Sequence, residues 1–202
     1  RYVGTYQPEG VSQDYEEWLK DHAAGKKELK RQKAAVFSSS PLISIVIPLY
    51  NTPLEYLKEV IDSVIAQTYS NWQLCLADGS EGDEIRELLR KKYKKEIRIS
   101  YKKLTENKGI SENTNAAIKQ AMGDYIMLCD HDDVVAPDAL FHIVKAITEQ
   151  KADVIYTDED KVSMDGKHYF EPNFKPDFNL FRLRENNYIC HIFVVKREIL
   201  EQ

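Results

Sequence analysis

Short apolar runs alternate with amphipathic stretches of helical spacing between residues 42 and 156. Apolar runs rich in β-branched residues are typical of parallel strands that are buried on both faces. The stretches between them predict helices that cross over from one strand to the next. Strands are predicted at 42–47, 72–76, 97–102, 125–129 and 154–156, and helices at 53–65, 83–95, 111–122 and 137–150. We therefore expect an α/β fold with a mainly parallel sheet and helices on both faces.

Local signals refine the element boundaries. Pro48 is expected to end the first strand, because proline cannot donate to a sheet ladder. Thr52, Pro53 and Glu55 match a capping box with proline at the first helical position. Gly123 is expected to close the helix that begins at Ser111.

The N-terminal flank departs from this alternation. Residues 1–36 are polar, with one predicted helix over about residues 12–36, and residues 38–41 have the composition of a linker. We therefore divide the chain into an N-terminal helical extension with its linker, residues 1–40, and a main domain, residues 41–202.

The C-terminal flank also lacks the alternation of strands and helices. Asp165 and Gly166 predict a hairpin turn, and an irregular stretch continues to residue 187. A last strand is predicted at 188–195, followed by the start of a helix that the chain end cuts off. The main domain is therefore expected to be truncated at its C-terminus.

Composition excludes several classes of protein. No apolar run approaches the roughly 20 residues of a membrane span, and a net charge of −5 argues against a general affinity for nucleic acid. Cys75, Cys129 and Cys190 each lie in an apolar, strand-like run without zinc-site spacing, which favours a reducing cytoplasm. Basic clusters at 20–33 and 86–103 indicate either solvated helix faces or peripheral contact with anionic lipid headgroups.

Acidic residues follow the predicted strand 125–129 directly. Asp130, His131, Asp132 and Asp133 stand there, shortly before the helix that begins at Pro137. In an extended segment Asp130 and Asp132 point the same way, so one or both can hold a divalent cation through oxygen. Hard oxygen ligands favour Mg²⁺ or Mn²⁺ over zinc. The alternative is that these carboxylates only cap the following helix.

Two further strand ends are expected at the same edge of the sheet, where ligands bind in folds of this type. Residues 48–51 follow the first strand and residues 78–80 follow the second. Pro48 and Tyr50 can lie against a nucleotide base, and Asp78 can accept a hydrogen bond from a pyrimidine imide N–H. Alternatively, Asp78 and Tyr50 are an ordinary turn residue and a core-edge residue.

Six short motifs run through the main domain in a fixed order: SIVIPLYN at 44–51, QTY at 67–69, DGS at 78–80, NKGIS at 107–111, GDY at 123–125 and DHDD at 130–133. With these motifs, residues 41–200 resemble the family 2 glycosyltransferases with the GT-A (Rossmann-like) fold. YTDEDK at 156–161 and FKPD at 174–177 are similar to members that build bacterial surface polysaccharides, some of them containing rhamnose.

The resemblance implies transfer of a sugar, with inversion, from a UDP- or dTDP-sugar donor to a hydroxyl of a growing cell-surface polysaccharide or lipid-linked glycan. Asp78 and Tyr50 match base-contacting positions of the family. Asp130 and Asp132 match its Asp-x-Asp motif, which implies that Asp130 also contacts the nucleotide and that Asp132 is the direct ligand of Mg²⁺ or Mn²⁺. The cation would neutralise the departing diphosphate.

The chain departs from the family pattern at two places. Many members carry a second aspartate where this chain has Ala77, so base recognition rests on fewer groups. By this resemblance, the family's general base is expected in an acidic motif beyond Gln202. Asp158, Glu159 and Asp160 are the nearest acids in the chain, and we interpret them as acceptor-side, loop-ordering or purely structural residues rather than as that base.

Other interpretations stay open at this point. His191 stands beside Cys190 in an apolar run, which favours a packed histidine over a ligand. The chain is alternatively a non-catalytic nucleotide-sugar-binding fragment or scaffold. A metal-dependent nucleotidyltransferase is a further alternative, although the sequence lacks a glycine-rich phosphate loop.

Overall fold

A computed structural model describes residues 13–200. Within this range the strands are β1 (Ile43–Leu49), β2 (Trp72–Asp78), β3 (Ile99–Lys103), β4 (Tyr125–Leu128), β5 (Val154–Tyr156), β6 (Glu159–Val162), β7 (Tyr169–Asn173) and β8 (Phe193–Lys196). The helices are α1 (Gln13–His22), α2 (Lys26–Lys33), α3 (Leu54–Ile65), α4 (Glu84–Lys92), α5 (Ile110–Ile118), α6 (Ala139–Gln150), α7 (Leu180–Glu185) and α8 (Arg197–Leu200).

Six strands form a central sheet in the order β3-β2-β1-β4-β8-β5. The pairs β1–β2, β2–β3 and β1–β4 are parallel, whereas β8 runs antiparallel between β4 and β5. Strands β6 and β7 form a separate antiparallel hairpin, and Gly166 in its turn has a φ of 72°. The predicted α/β fold with a mainly parallel sheet is confirmed, and so is the hairpin at Asp165 and Gly166.

Side chains of the central strands alternate between two cores, because successive residues of a strand point to opposite faces. Ile43, Ile45 and Ile47 of β1 pack with apolar residues of α3, α4 and α6. Val46 lies on the other face with Ala117 of α5. Each fully buried aliphatic side chain contributes about 1.5–3 kcal/mol through removal from water. These two layers fix the sheet, and with it the strand ends that carry the polar residues.

Pro48 lies inside β1 and does not end it, so that expectation was wrong. Strand β1 pairs with β4 only as far as Val46, and beyond that residue it pairs with β2 alone. Proline is tolerated there because fewer ladder hydrogen bonds are available to lose. The capping box was also wrong: Pro53 is the N-cap without a side-chain cap, and the buried Thr52 hydroxyl has no partner among the described residues.

Two helix predictions also need correction. The extension forms two helices separated at Gly25 instead of one helix over residues 12–36. Helix α5 ends at Ile118, so Gly123 does not cap it. A Cβ at Gly123 would lie 2.6 Å from the carbonyl oxygen of Leu42, and the glycine therefore permits a close approach to the chain that enters β1.

The last predicted strand begins later than expected. Strand β8 covers only Phe193–Lys196, and the residues before it form an irregular segment. Cys190 in this segment is exposed and has a φ of 44°, whereas Cys75 and Cys129 are buried. The apolar run predicted a strand because its composition is that of one. Strand pairing decides the boundary, since β8 has partners in β4 and β5 only from Phe193 onward.

Both N-terminal helices contact the main domain. On α1, the Tyr15 hydroxyl donates to Asp160 of β6 over 2.6 Å. On α2, the buried Gln32 accepts a hydrogen bond of 3.0 Å from Thr68. Among residues 13–200, no helix combines the length and the apolar character needed to span a bilayer. The division into two domains stays a prediction.

Candidate active site at the carboxyl edge of the sheet

The loops after β1 and β2 lie against each other at the carboxyl edge of the sheet. The backbone N–H of Gly79 donates to the carbonyl of Leu49 over 2.9 Å, and the N–H of Asn51 donates to the Ser80 hydroxyl over 2.8 Å. Asn51 has a φ of 49°, in the left-handed region that asparagine tolerates better than most residues. These contacts join the ends of two parallel strands, as the sequence predicted.

Asp78, the last residue of β2, is the most enclosed acid at this edge, with 0% of the residue exposed. Its Oδ1 accepts the N–H of Ser80 at 2.9 Å. Its Oδ2 accepts the Tyr101 hydroxyl at 2.7 Å and the Lys103 ammonium at 3.1 Å. Burial by itself would raise the pKa of Asp78, but these donors outweigh it and lower the pKa below its ordinary value. Asp78 is therefore held as a carboxylate.

The neighbours of Asp78 differ in exposure. Tyr50, which follows β1 directly, has 49% of its surface exposed and leaves a ring open to a ligand. Pro48, two residues before Tyr50 in the chain, is partly exposed. Ala77 is buried against α5 on the opposite face of the sheet. A direct contact of Pro48, Tyr50 or Asp78 with a nucleotide base stays a prediction.

The acidic segment after β4 forms a tight turn and is not extended. The N–H of Asp133 reaches the carbonyl of Asp130 at 3.5 Å, and the Asp133 carboxylate accepts the N–H of Asp130 at 3.3 Å. His131 and Asp132 occupy the corners of this turn. The turn therefore brings Asp133, and not Asp132, beside Asp130.

His191 completes a cluster with these two acids. Its Nε2 lies 3.2 Å from Oδ2 of Asp130, and ligand atoms of Asp130, Asp133 and His191 all lie within 4.8 Å of one another. The expectation that His191 lies in a strand was wrong, because the residue lies in the irregular segment before β8 and faces the acidic turn. Whether it is a packed residue or a ligand stays a prediction. The only sequence signal was a lone polar ring in an apolar run, which does not reveal its partner.

The pKa values of the three residues in the cluster are shifted in different directions. The hydrogen bond with Asp130 raises the pKa of His191, and the same contact lowers the pKa of Asp130. Burial raises the pKa of Asp133, and the charge of Asp130 adds to that rise. Two half-buried carboxylates this close repel each other, and a cation relieves the repulsion.

The cluster fits a divalent cation by its donor set. It offers two carboxylate oxygens and one imidazole nitrogen from a half-buried position that a ligand can reach. Asp132 lies in the same turn outside this group, so its assignment as the direct ligand stays a prediction. The structure thus offers a candidate metal site beside the Asp-x-Asp motif, with a partly different set of candidate ligands.

The acids at 158–160 are all engaged in hydrogen bonds near β6 and β7. Asp158 accepts the backbone N–H of Lys175 at 2.7 Å, and Asp160 accepts the Tyr15 hydroxyl. Glu159 accepts a hydrogen bond from Asn173 Nδ2 at 2.9 Å. Burial raises the pKa of Glu159, but the hydrogen bonds from Asn173 and Lys175 outweigh it, so the pKa is lowered. This pattern is that of loop-ordering residues, one of the interpretations left open above.

Comparison with known sequences identifies a protein family and several relatives of this chain. The sequence profile described as "Glycosyl transferase family 2" matches residues 44–202. An uncharacterized protein of Sinorhizobium fredii, y4gI, is 41% identical over 166 residues, which cover 81% of this chain and 18% of that protein. The O-antigen biosynthesis protein RfbC of Myxococcus xanthus is 30% identical over 191 residues, covering 94% of this chain and 15% of RfbC. The chain thus spans less than a fifth of either relative.

Solved structures share the fold. Residues 1–349 of TarS from S. aureus, in complex with UDP-GlcNAc, align with a TM-score of 0.63 and 21% identity, covering 79% of this chain and 46% of that one. The mannosyltransferase PcManGT of Pyrobaculum calidifontis, in complex with GDP-Man and Mn²⁺, aligns with a TM-score of 0.60 and 17% identity. The alignment covers 86% of this chain and 51% of PcManGT. At this level of identity the likeness establishes the GT-A-type fold.

Proposed function

The chain belongs to glycosyl transferase family 2, and on that premise we propose that it forms the donor-binding part of an enzyme that transfers a sugar from a nucleoside diphosphate to a hydroxyl group. The observation that carries this proposal is the meeting of three strand ends at one edge. Asp78 and Tyr50 stand at one part of that edge, and the cluster of Asp130, Asp133 and His191 stands at another.

The nucleotide base is proposed to lie over the ends of β1 and β2. Tyr50 offers an exposed ring for stacking, with Pro48 beside it, and stacking on an aromatic ring contributes about 1–3 kcal/mol per base. Asp78 is the proposed acceptor for an imide N–H, and its lowered pKa keeps it ionised for that purpose. Because Asp78 is fully buried, this contact requires the residues that cover it to move aside when the base binds. An imide N–H is shared by uracil and thymine, which supports a UDP- or dTDP-sugar as the donor.

Asp130, Asp133 and His191 are proposed to hold a divalent cation, with Asp132 as a further candidate. A bound cation supplies neutralisation of the diphosphate leaving group. Two oxygens and one nitrogen suit Mn²⁺ better than Mg²⁺, which demands near-ideal octahedral geometry and usually keeps several waters. The complex of the similarly folded mannosyltransferase with Mn²⁺ supports this choice. Asp130 is also proposed to approach the diphosphate.

Transfer with inversion needs a carboxylate that removes the acceptor proton. Asp158, Glu159 and Asp160 are poor candidates, because each is engaged by donors of its own surroundings. We assign the general base to another part of the enzyme. The acceptor is proposed to be a surface polysaccharide or a lipid-linked glycan, on the basis of the O-antigen relative, and peripheral contact with the cytoplasmic face of a membrane belongs to the same proposal.

The test is calorimetric titration of the protein with UDP and with dTDP, each with and without Mn²⁺. Binding of either nucleotide that strengthens with Mn²⁺ is expected. Absence of binding by both nucleotides in the presence of Mn²⁺ would contradict the proposal. In a turnover assay with a nucleotide-sugar, released nucleoside diphosphate supports the transferase, whereas released pyrophosphate indicates a nucleotidyltransferase and binding without turnover indicates a scaffold.

Two substitutions decide which acid of the turn binds the metal. Asp132→Ala tests the assignment that the Asp-x-Asp motif implies, and Asp133→Ala tests the cluster that the turn forms. Asp138→Ala, which removes an acid that pairs with His142 at the start of α6, is the matched control. The variant that loses Mn²⁺-dependent nucleotide binding identifies the ligand, and loss in the Asp138 variant would show that the effect is not specific.

A further inference from the structure

The segment that carries His191 lies outside the sheet and needs another anchor. It covers the residues between α7 and β8, and its Cys190 has a φ of 44°, a backbone conformation that β-branched and bulky residues rarely adopt. No strand pairing fixes Ile189 to His191 in the described part of the chain. Thr157 bonds to the N–H and the carbonyl of Ile192, at the end of the segment. Before Ile192, the position of the imidazole beside Asp130 depends on side chains that hold this backbone.

Lys175 provides the first anchor. Its Nζ donates to the carbonyl of Ile189 at 2.6 Å, to the carbonyl of His191, and to Oε2 of Glu159 at 3.2 Å. Only 1% of the Lys175 side chain is exposed. An ammonium group has three N–H donors, and a buried one is stable only when they are satisfied. All three donors are used here, and two of them hold the segment that carries His191.

Glu159 provides the second anchor. Its Oε2 accepts the backbone N–H of His191 at 3.3 Å in addition to the Lys175 ammonium, and its Oε1 accepts Asn173 of β7 at 2.9 Å. The carboxylate thus ties the backbone of His191 to the β6–β7 hairpin. Both the N–H and the carbonyl of the histidine are fixed by one ion pair.

We infer that Lys175 and Glu159 are positioning residues that seat the His191 imidazole on the cation held by Asp130 and Asp133. The inference rests on the proposed function, because it concerns the same metal site. Neither residue touches the cation. They act through the backbone of residue 191, much as hydrogen-bond partners of metal ligands orient those ligands in other proteins.

The experiment measures Mn²⁺ affinity by calorimetry and ligation by pulsed electron spin resonance, which detects an imidazole nitrogen bound to Mn²⁺. Lys175→Met and Glu159→Gln are each expected to weaken Mn²⁺ binding by about 10-fold and to abolish the nitrogen signal. Gln keeps the shape of Glu159 but replaces one acceptor oxygen with an N–H₂ group. Glu159→Gln therefore tests the positioning role even if Lys175→Met does not fold.

A double-mutant cycle separates positioning from a general loss of structure. In a His191→Ala background, Lys175→Met is expected to cause no further loss of Mn²⁺ affinity, because the side chain that it positions is already missing. Lys161→Met is the matched control, since Lys161 pairs with Glu171 on an exposed part of the same hairpin. This variant is expected to keep both the affinity and the nitrogen signal.

The outcomes distinguish the two proposals. If the unsubstituted protein binds no Mn²⁺, the proposed function fails. If it binds Mn²⁺ with a nitrogen signal that both Lys175→Met and Glu159→Gln retain, the proposed function stands and the positioning role is overturned. Binding without any nitrogen signal in the unsubstituted protein also overturns the positioning role, because His191 then does not touch the cation.

Discussion

Two acidic sites stand at the same edge of the sheet, and they are built in opposite ways. Asp78 is fully buried and accepts hydrogen bonds from a backbone N–H, a tyrosine and a lysine. Asp130 and Asp133 are half-buried and lie side by side near the imidazole of His191. Asp78 already accepts three hydrogen bonds from the protein, whereas Asp133 is held beside another carboxylate that raises its pKa.

This difference indicates separate roles. A buried carboxylate with its own donors contributes to folding and holds its loop in one conformation. Crowded carboxylates with a deficit of positive charge oppose folding and favour the binding of a cation. The first site is ordered by contacts within the protein, and the second is proposed to be completed by a cation. The predictions below test whether the two sites separate in this way.

The largest effect is expected for Asp78→Ala. Removing this acid leaves the Tyr101 hydroxyl and a backbone N–H without their acceptor and takes the carboxylate from the Lys103 ammonium, which keeps only the carbonyl of Gly82. Breaking a buried pair costs about 3–5 kcal/mol. Chemical denaturation measures the change in the free energy of unfolding. Asp62→Ala is the matched control, because Asp62 also binds a lysine and a tyrosine but its side chain is 52% exposed.

For the Asp62 control we expect a cost of at most about 1 kcal/mol, as for other exposed ion pairs. Equal costs for the two variants would show that burial does not distinguish them. In that case Asp78 is not the structural anchor that its contacts indicate.

Asp130→Asn is expected to act on metal binding and not on folding. Loss of a ligand carboxylate and of the acceptor for His191 should weaken Mn²⁺ binding by at least about 100-fold, which corresponds to about 2.8 kcal/mol. Calorimetric titration with Mn²⁺ gives this number. In the presence of a chelator the free energy of unfolding should not fall by more than about 1 kcal/mol, since one of two repelling charges is removed. A loss of stability as large as that of Asp78→Ala would make the two sites alike.

Tyr50→Ala is expected to have a smaller effect, confined to the nucleotide. Removal of the exposed ring should weaken UDP or dTDP binding by about 1–3 kcal/mol, the range for stacking of one base. Tyr50→Phe keeps the ring and should bind as the unsubstituted protein does. If the alanine variant binds nucleotide with unchanged affinity, the base does not lie against residue 50.

The smallest effect concerns the pH dependence of the Asp78 contribution. Its pKa in the folded protein lies below the ordinary value of 3.8. The unfolded chain therefore binds the proton more tightly, and the stabilisation is present above about pH 3.8 and is lost as the pH falls through the folded pKa. The difference in unfolding free energy between the unsubstituted protein and Asp78→Ala should stay level from pH 7 to 5 and shrink below pH 4. A difference that grows on acidification would contradict the assignment.

Local pattern was sufficient for much of the fold. The alternation of apolar runs and helical stripes predicted β1, β2 and β4 and the helices after them, because burial on both faces of a parallel sheet leaves a continuous apolar run in the sequence. The polar residues at the strand ends were also visible in the sequence, since an acid that directly follows a buried strand has few structural reasons to be there. Family membership came from the same segments.

Tertiary structure decided what depends on partners far apart in the chain. The acidic turn places Asp133 beside Asp130, and the segment before β8 places His191 close to both of them. The burial of Lys175 and its bonds to Ile189 and His191 were equally invisible. Periodicity reports which face of an element is buried. It carries no information on which loop closes over a strand end, because loop positions are set by hydrogen bonds between segments that are distant in sequence.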